Sequence, residues 1–429
     1  MLCQSTLYAA AGCGQHHAST PVSGPRLRPA RASIAALVFA LCADAAWADV
    51  ADTVRPYAEF TYAHSSNLFR LSNESEAVAQ LGTPETSDNA RRIEAGVRLK
   101  AQLSRQLVLL NANVNRTTYE RFRSLDYSGN ALDFQWAWEA GKQWSGDLRY
   151  DTVRTLSSFT ELHAPVKDLV LEQRPLVDAY YLLHPRWRIG AAALGIDVKH
   201  GAPSRQDLDR REHGGRVEVQ YLGAEAQRDV IAAQWVASDL HYRKQQLVDA
   251  VPVDSDHRRN LMGARFDWPL SGKSRLQGGL GVEQLRFREV KQRDYSGPYS
   301  RLTWNWSATG HTTLEAGLWQ ETVNVDDARL NYALSRGASV SPIWQPTAKA
   351  RIQLRLAYEN LEYRGENGLL SGSLPARQDR VRSEAIVLTH EFSRALRIEL
   401  AYRSEQRVSN RALTDYRDNT WLFSLRGEI

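Results

Sequence analysis

Cysteine is confined to the start of this 429-residue chain, at Cys3, Cys13 and Cys42. From residue 49 onward there is no disulfide framework, no thiolate metal site and no cysteine nucleophile. Such a chain has nothing to mispair if it crosses an oxidising compartment unfolded. Long apolar runs are equally scarce. Ile34–Leu41 is unbroken but too short for a spanning helix, which needs about 20 residues, and no later stretch is long and apolar enough. Mean hydropathy is −0.46, a value that does not speak against a membrane barrel, whose strands are apolar on one face only. A dominant charge sign is lacking too. The formal balance is 54 basic to 49 acidic residues, and removal of residues 1–48 leaves 51 to 48 with no basic tract. Nucleic acid is therefore not an implied partner.

What is present begins with an export leader. Arg26, Arg28 and Arg31 form a basic n-region, Ile34–Leu41 the apolar h-region, and Ala46-Trp47-Ala48 a small-x-small cleavage pattern. This assigns 1–48 to a cleaved signal peptide and 49–429 to one mature domain. A retained helical anchor would need a longer apolar run. A lipoprotein would need a small residue before Cys42, where Leu41 stands.

In the mature chain the period is two. Ile93, Ala95, Val97, Leu99 and Ala101 alternate with Glu94, Gly96, Arg98, Lys100 and Gln102. Leu132, Phe134, Trp136 and Trp138 alternate with Asp133, Gln135, Ala137 and Glu139. The same pattern recurs at 108–115, 301–308 and 350–359. Alternation places the apolar set on one face of each strand. No comparable run carries a helical stripe. Gly, Ala and Ser blur the alternation around 188–200 and 330–343.

Connections separate barrel from sandwich. Tight turns are read at Ser104-Arg105, Gly141-Lys142, His184-Pro185-Arg186, Ser271-Gly272-Lys273, Thr309-Gly310-His311, Pro346-Thr347 and Ser393-Arg394. Longer polar connections, at 65–91, 152–172, 199–212, 243–258 and 364–380, fall between them. Strict short–long alternation is what an up-and-down barrel needs when one end turns tightly and the other carries loops. A soluble sandwich has no reason for it. The expected fold is an all-β transmembrane antiparallel barrel of about 18 strands, with 16 as the alternative, in the bacterial outer membrane. Trp136, Trp138, Trp144, Trp187, Trp268, Trp304, Trp306 and Trp421 fall near strand ends, where an amphipathic ring suits a membrane interface. At the C-terminus Trp421, Phe423, Leu425 and Ile429 share a face. This resembles the terminal signal read by the barrel-assembly machinery, although the last residue is Ile429 where that signal usually has an aromatic.

Enzyme chemistry finds no motif. The nine histidines beyond the leader form no i,i+2 or i,i+4 pair, and there is no phosphate loop, zinc spacing or nucleophile elbow. The chain is therefore read as a non-enzyme without a cofactor. The polar strand faces carry the information instead. Arg98, Lys100, Asp133, Arg149, Arg301, Arg351 and Arg355 are the candidate lumen-lining residues, because a wet lumen tolerates charges that the bilayer midplane rejects. They would contact a hydrated solute or form cross-strand ion pairs that hold the wall.

Several stretches resemble exopolysaccharide-biosynthesis outer-membrane proteins of the EpsL type. These are Pro56-Tyr57 through Asn67-Leu68-Phe69-Arg70-Leu71, the run Tyr119 to Gly129, Trp144-Ser145-Gly146, Tyr150-Asp151, Leu156-Ser157-Ser158-Phe159 and Pro185-Arg186-Trp187. The resemblance covers residues 54–190. It implies a barrel that takes part in moving polysaccharide across the outer membrane, together with other export proteins, and brings no catalytic residues. A solute-uptake porin is the alternative, and would show a long connection such as 65–91 or 152–172 folded into the lumen as a constriction. Outer-membrane lipid and lipopolysaccharide are the expected surroundings.

The leader generates the first prediction. N-terminal sequencing of the protein from an outer-membrane fraction should begin near Asp49. A retained leader would contradict the assignment.

Overall fold

The computed structural model describes residues 54–223, 229–248, 251–365 and 376–429; the leader at 1–48 lies outside the described residues. The first strands are β1 (Val54–Ser65), β2 (Asp88–Leu103), β3 (Gln106–Tyr119), β4 (Tyr127–Ala140), β5 (Trp144–Leu156), β6 (Leu169–His184), β7 (Trp187–Lys199), β8 (Arg210–Leu222) and β9 (Val230–Tyr242). A small hairpin, β10 (Gln246–Val248) and β11 (Val251–Val253), stands outside the main sheet. The remaining strands are β12 (His257–Ser271), β13 (Ser274–Phe287), β14 (Tyr295–Ser307), β15 (Thr312–Asn324), β16 (Tyr332–Thr347), β17 (Ala350–Tyr363), β18 (Gln378–Glu391), β19 (Leu396–Ser409) and β20 (Tyr416–Glu428). Every strand of the 18-stranded sheet pairs antiparallel with its chain neighbours, and β9 pairs with β12. β1 pairs with both β2 and β20, from Tyr57↔Glu428 to Ser65↔Thr420, which closes the barrel. Closure leaves no edge, the condition for β-structure in hydrocarbon.

The two faces follow the alternation. Ile93, Val114, Trp136, Leu354, Leu356, Ile386, Leu400 and Leu425 are exposed on the outer wall, while Glu94, Asn113, Glu218, Glu283, Arg403 and Arg426 are buried on the inner one. Trp136, Trp144, Trp187, Trp306 and Trp344 form an exposed aromatic ring around the tight-turn end. Trp421 belongs to the opposite end. The blurred stretches are full strands, β7 and β16. Their small residues do not interrupt pairing, because the ladder uses backbone groups that Ala, Gly and Ser supply as well as Val does.

Two sequence expectations need correction. The turn before β17 is Ala348-Lys349, since Pro346-Thr347 ends β16. The shorter connections 120–126, 288–294, 325–331 and 410–415 also sit at the loop end, beside the five longer polar stretches. The first loop contains a helix, α1 (Glu74–Leu81). Its signals are local: the Asn73 side chain accepts from the Glu76 N–H, Glu76 accepts from the Ser72 N–H, and Gly82 caps the end at φ 72°. This is half of a capping box, with Glu76 reaching one residue beyond the N-cap to Ser72, followed by a left-handed glycine stop. Eight residues are too few to show a periodic stripe.

Opposite faces should respond oppositely to charge. Leu354→Arg sets a cation against lipid at a cost of about 2–4 kcal/mol near the midplane and should block stable insertion. Arg355→Leu, one residue on, should assemble almost normally. Equal yields of the heat-modifiable folded form for both variants would mean that the faces are exchanged.

Candidate functional site

The loop end is where the barrel ceases to be a simple tube. In the first loop the Asn67 side chain closes a five-residue turn, donating to the Leu71 carbonyl at 2.8 Å and accepting from its N–H at 3.0 Å. The turn projects Phe69 inward. Phe69 meets Phe122 and Phe159 edge-on, each at 4.7 Å, and joins Leu71, Ala77 and Leu125 in a buried cluster. Loops 66–87, 120–126 and 157–168 therefore share one small core. Arg70 of the same turn pairs with Asp418 on β20 at 2.6 Å.

That core aims the 157–168 loop across the lumen. Glu161 accepts from Arg407 of β19 at 2.8 Å and from Arg377 before β18 at 3.1 Å, and Tyr363 of β17 donates to it at 3.3 Å. Arg407 also donates to the Thr160 carbonyl at 3.1 Å. The Arg407 side chain is 3% exposed and Glu161 15%, so the pair is largely shielded from solvent. Asp379 and the Tyr363 ring, 4.3 Å from the Arg377 guanidinium, complete the anchor. Removing one member of such a pair strands a buried charge at a cost of about 3–5 kcal/mol. The loop is thus fixed on the far wall.

A second loop, 325–331, folds in between. Asp326 accepts from Arg210 of β8 at 2.7 Å, and its carbonyl accepts from Arg205 at 3.1 Å. Arg205 leans on Asp168, which also takes His200 Nδ1 at 2.7 Å and the Ala202 N–H at 2.9 Å. Burial works against the Asp168 charge, yet these donors hold its carboxyl below the usual range. Room for the fold-in exists because the β14–β15 ladder stops at Ser300↔Gln320, while β15–β16 pairing runs on to Asn324↔Tyr332. Leu334 then packs on Leu285, Phe287 and Tyr295 of the inner wall.

Between the two loops lies a pocket of about 190 Å³ lined by Thr160, Glu161, Arg205, Asp326, Glu405 and Arg407. Two wider chambers, about 630 and 690 Å³, are lined by residues nearer the tight-turn end. The smaller pocket lies at the loop end of the barrel.

The candidate lining residues are distributed along the wall. Arg98 pairs with Glu428 at 3.1 Å and faces the Tyr57 ring. Arg149 pairs with Asp147 at 3.5 Å in the 690 Å³ chamber. Arg301 is clamped by Glu321, with Nε at 2.9 Å. Asp133 lies opposite Asp151 in register, and Lys100 is exposed toward the tight-turn end. Arg351 and Arg355 come together in the 630 Å³ chamber, where both donate to Gln353, at 3.2 and 3.1 Å. None of the seven lies in the narrow pocket. Its residues carried no signal in the sequence, because Glu161 and Arg407 stand 246 positions apart.

No family model matches the chain and no curated protein matches it. Solved structures do. Pseudomonas aeruginosa OccK2 (OpdF) matches at 10% identity and TM-score 0.49, over 88% of this chain and 98% of its own. The outer-membrane protein OpdK of Pseudomonas aeruginosa matches at 10% and 0.45, over 88% and 100%. A BenF-like porin from Pseudomonas fluorescens matches at 8% and 0.48, over 88% and 98%. The EpsL-type resemblance is overturned, since what the chain matches are porins and no exopolysaccharide-biosynthesis family among them. The export function that rested on it falls with it. Asn67-Leu68-Phe69-Arg70-Leu71, which carried part of that resemblance, is a loop-closing turn. The protein is a porin-like β-barrel of the outer membrane.

His163 in the constriction loop generates a pH prediction. Among the described residues its two buried ring nitrogens have no hydrogen-bond partner, and its backbone is left-handed at φ 46°. Burial pushes its pKa below the ordinary 6.5, Glu161 opposes this, and Arg407 adds to it. The seated loop holds the neutral ring, so its stability is full above pH about 6.5 and declines as pH falls below that value. Channel conductance should become larger or noisier below about pH 6. His163→Asn, which tolerates the left-handed backbone, should flatten that dependence. A wild-type conductance constant from pH 7.5 to 5 would contradict the assignment.

Proposed function

We propose that the protein is an uptake channel that admits small polar solutes through the outer membrane. The observation that carries this reading is the anchoring of loop 157–168 on the far wall through Glu161, Arg377 and Arg407. The pocket between the two loops is lined by charged and hydroxyl groups, which suits a small polar solute with its hydration partly replaced by wall groups. A sugar polymer sliding through would need these ion pairs broken throughout its passage. Beyond the narrowing, Arg98, Lys100, Asp133, Arg149, Arg301, Arg351 and Arg355 line the route, in a mature chain that begins at Asp49. Both charge signs lie along it, so no single ring of one sign selects the solute. The chain acts as a conduit and not as an enzyme.

Swelling of liposomes containing the folded protein tests this. Amino acids and monosaccharides should enter readily and oligosaccharides several-fold larger should not. Arg149→Ala or Arg351→Ala alone should change entry by less than about twofold, since single solvated charges contribute little. Oligosaccharides entering as fast as monosaccharides would contradict the proposal.

A further inference from the structure

The outer wall carries arginines where the sequence pattern calls for apolar residues, all toward the loop end. Most of them face a carboxylate. Arg211 and Arg243 share Asp197, Arg258 faces Asp239, Arg286 faces Asp294, and Arg288 faces Asp256. Among the described residues Arg116 and Arg336 meet only neutral side chains, Ser128 and Gln320, and the one cluster of such arginines on adjoining strands lies on β18–β20. Arg382, Gln406 and Arg417 are register partners across these three strands, and Arg380 stands one outward position beyond Arg382. All three arginines are exposed. Among the described residues Arg380 and Arg417 make no ion pair, and Arg382, 71% exposed, has only the equally outward Glu384.

The same strands mark the height of the patch. Ile386, Leu388, Leu400 and Leu425 form an exposed apolar band toward the tight-turn end. Above it come Tyr358, Tyr402 and Trp421, with the Tyr402 and Trp421 rings 4.5 Å apart. The hydroxyls of Tyr358 and Tyr402 both point loopward, to Asn360 at 3.3 Å and Asn419 at 3.1 Å. Rings in the apolar layer with O–H groups aimed at amides mark the level where hydrocarbon gives way to headgroups. The arginines lie at or just beyond that level. In an outer-membrane barrel the loop end lies in the outer leaflet.

We propose that the outward face of β18–β20 binds the phosphate groups of the outer leaflet's phosphorylated glycolipid, with Arg380, Arg382 and Arg417 as donors. Charge complementarity commits the site to this occupant. Two guanidinium groups, Arg380 and Arg417, have no carboxylate among the described residues, and Arg382 shares only the half-exposed Glu384; at headgroup height such groups match phosphate in a bidentate way. The apolar band below receives the acyl chains, and Trp421 and Tyr402 flank the sugar. This site is separate from the lumen and does not depend on the transport reading.

Native mass spectrometry of the folded protein in detergent, titrated with purified lipid A, tests the site. Wild-type protein should hold lipid A, and dephosphorylated lipid A should bind about tenfold more weakly or worse. The triple variant Arg380→Gln, Arg382→Gln, Arg417→Gln should lose affinity to a similar extent while keeping heat-modifiable mobility. If it does not assemble, Arg417→Gln and the dephosphorylated lipid decide the matter. Equal binding of phosphorylated and dephosphorylated lipid A, or undiminished binding by the variants, would overturn the proposal.

Discussion

Backbone amides in hydrocarbon have no water to bond, and a polypeptide that crosses a bilayer as β-structure must pair all of them within itself. In this chain that requirement is met where Tyr57–Ser65 of β1 lies against Thr420–Glu428 of β20. The last strand satisfies the first, and the wall acquires an inside. Only then can Glu94, Arg403 and Arg426 occupy strands that face lipid on their other side. The Arg426 guanidinium lies 3.6 Å from the Tyr57 ring centre, so the closing seam is also joined through the lumen side chains.

Once the wall is closed, its loops face a choice between solvent and lumen. Loop 157–168 goes inward because Phe159 has an apolar partner in Phe69 and Glu161 has cationic partners in Arg377 and Arg407. The two anchors are chemically independent. The aromatic one fixes the base of the loop, and the ionic one fixes its tip. Loop 325–331 uses a different device, an early end to the β14–β15 ladder that lets the next hairpin lean away from the wall. Together they fill part of the barrel's mouth at the loop end, and the proposed preference for small solutes rests on that mouth and not on the wall.

The wall was legible in the sequence because its physics is local. A period of two at Ile93–Gln102 needs no knowledge of the rest of the chain, and neither does the turn at Ser104-Arg105. The position of Arg98, Arg149, Arg301, Arg351 and Arg355 on the polar faces follows from the same count. The mouth was not legible. Nothing near Glu161 announces Arg377 or Arg407, which arrive 216 and 246 residues later. The helix at Glu74–Leu81 had its caps in plain view at Asn73, Glu76 and Gly82, but was hidden by its shortness. The exopolysaccharide resemblance failed for a related reason. The run Asn67–Leu71 closes a turn through its own side chain and backbone, so it reports local geometry and says nothing of a transported cargo.

The central claim is that loop 157–168 narrows the channel by standing in it. Single-channel conductance in planar bilayers, compared between the intact protein and one with residues 159–165 excised, tests that claim most directly. The account predicts a small conductance for the intact barrel that rises several-fold on excision, because the two chambers then open straight to the outside. Identical conductance in the two proteins would show that the loop does not govern the passage.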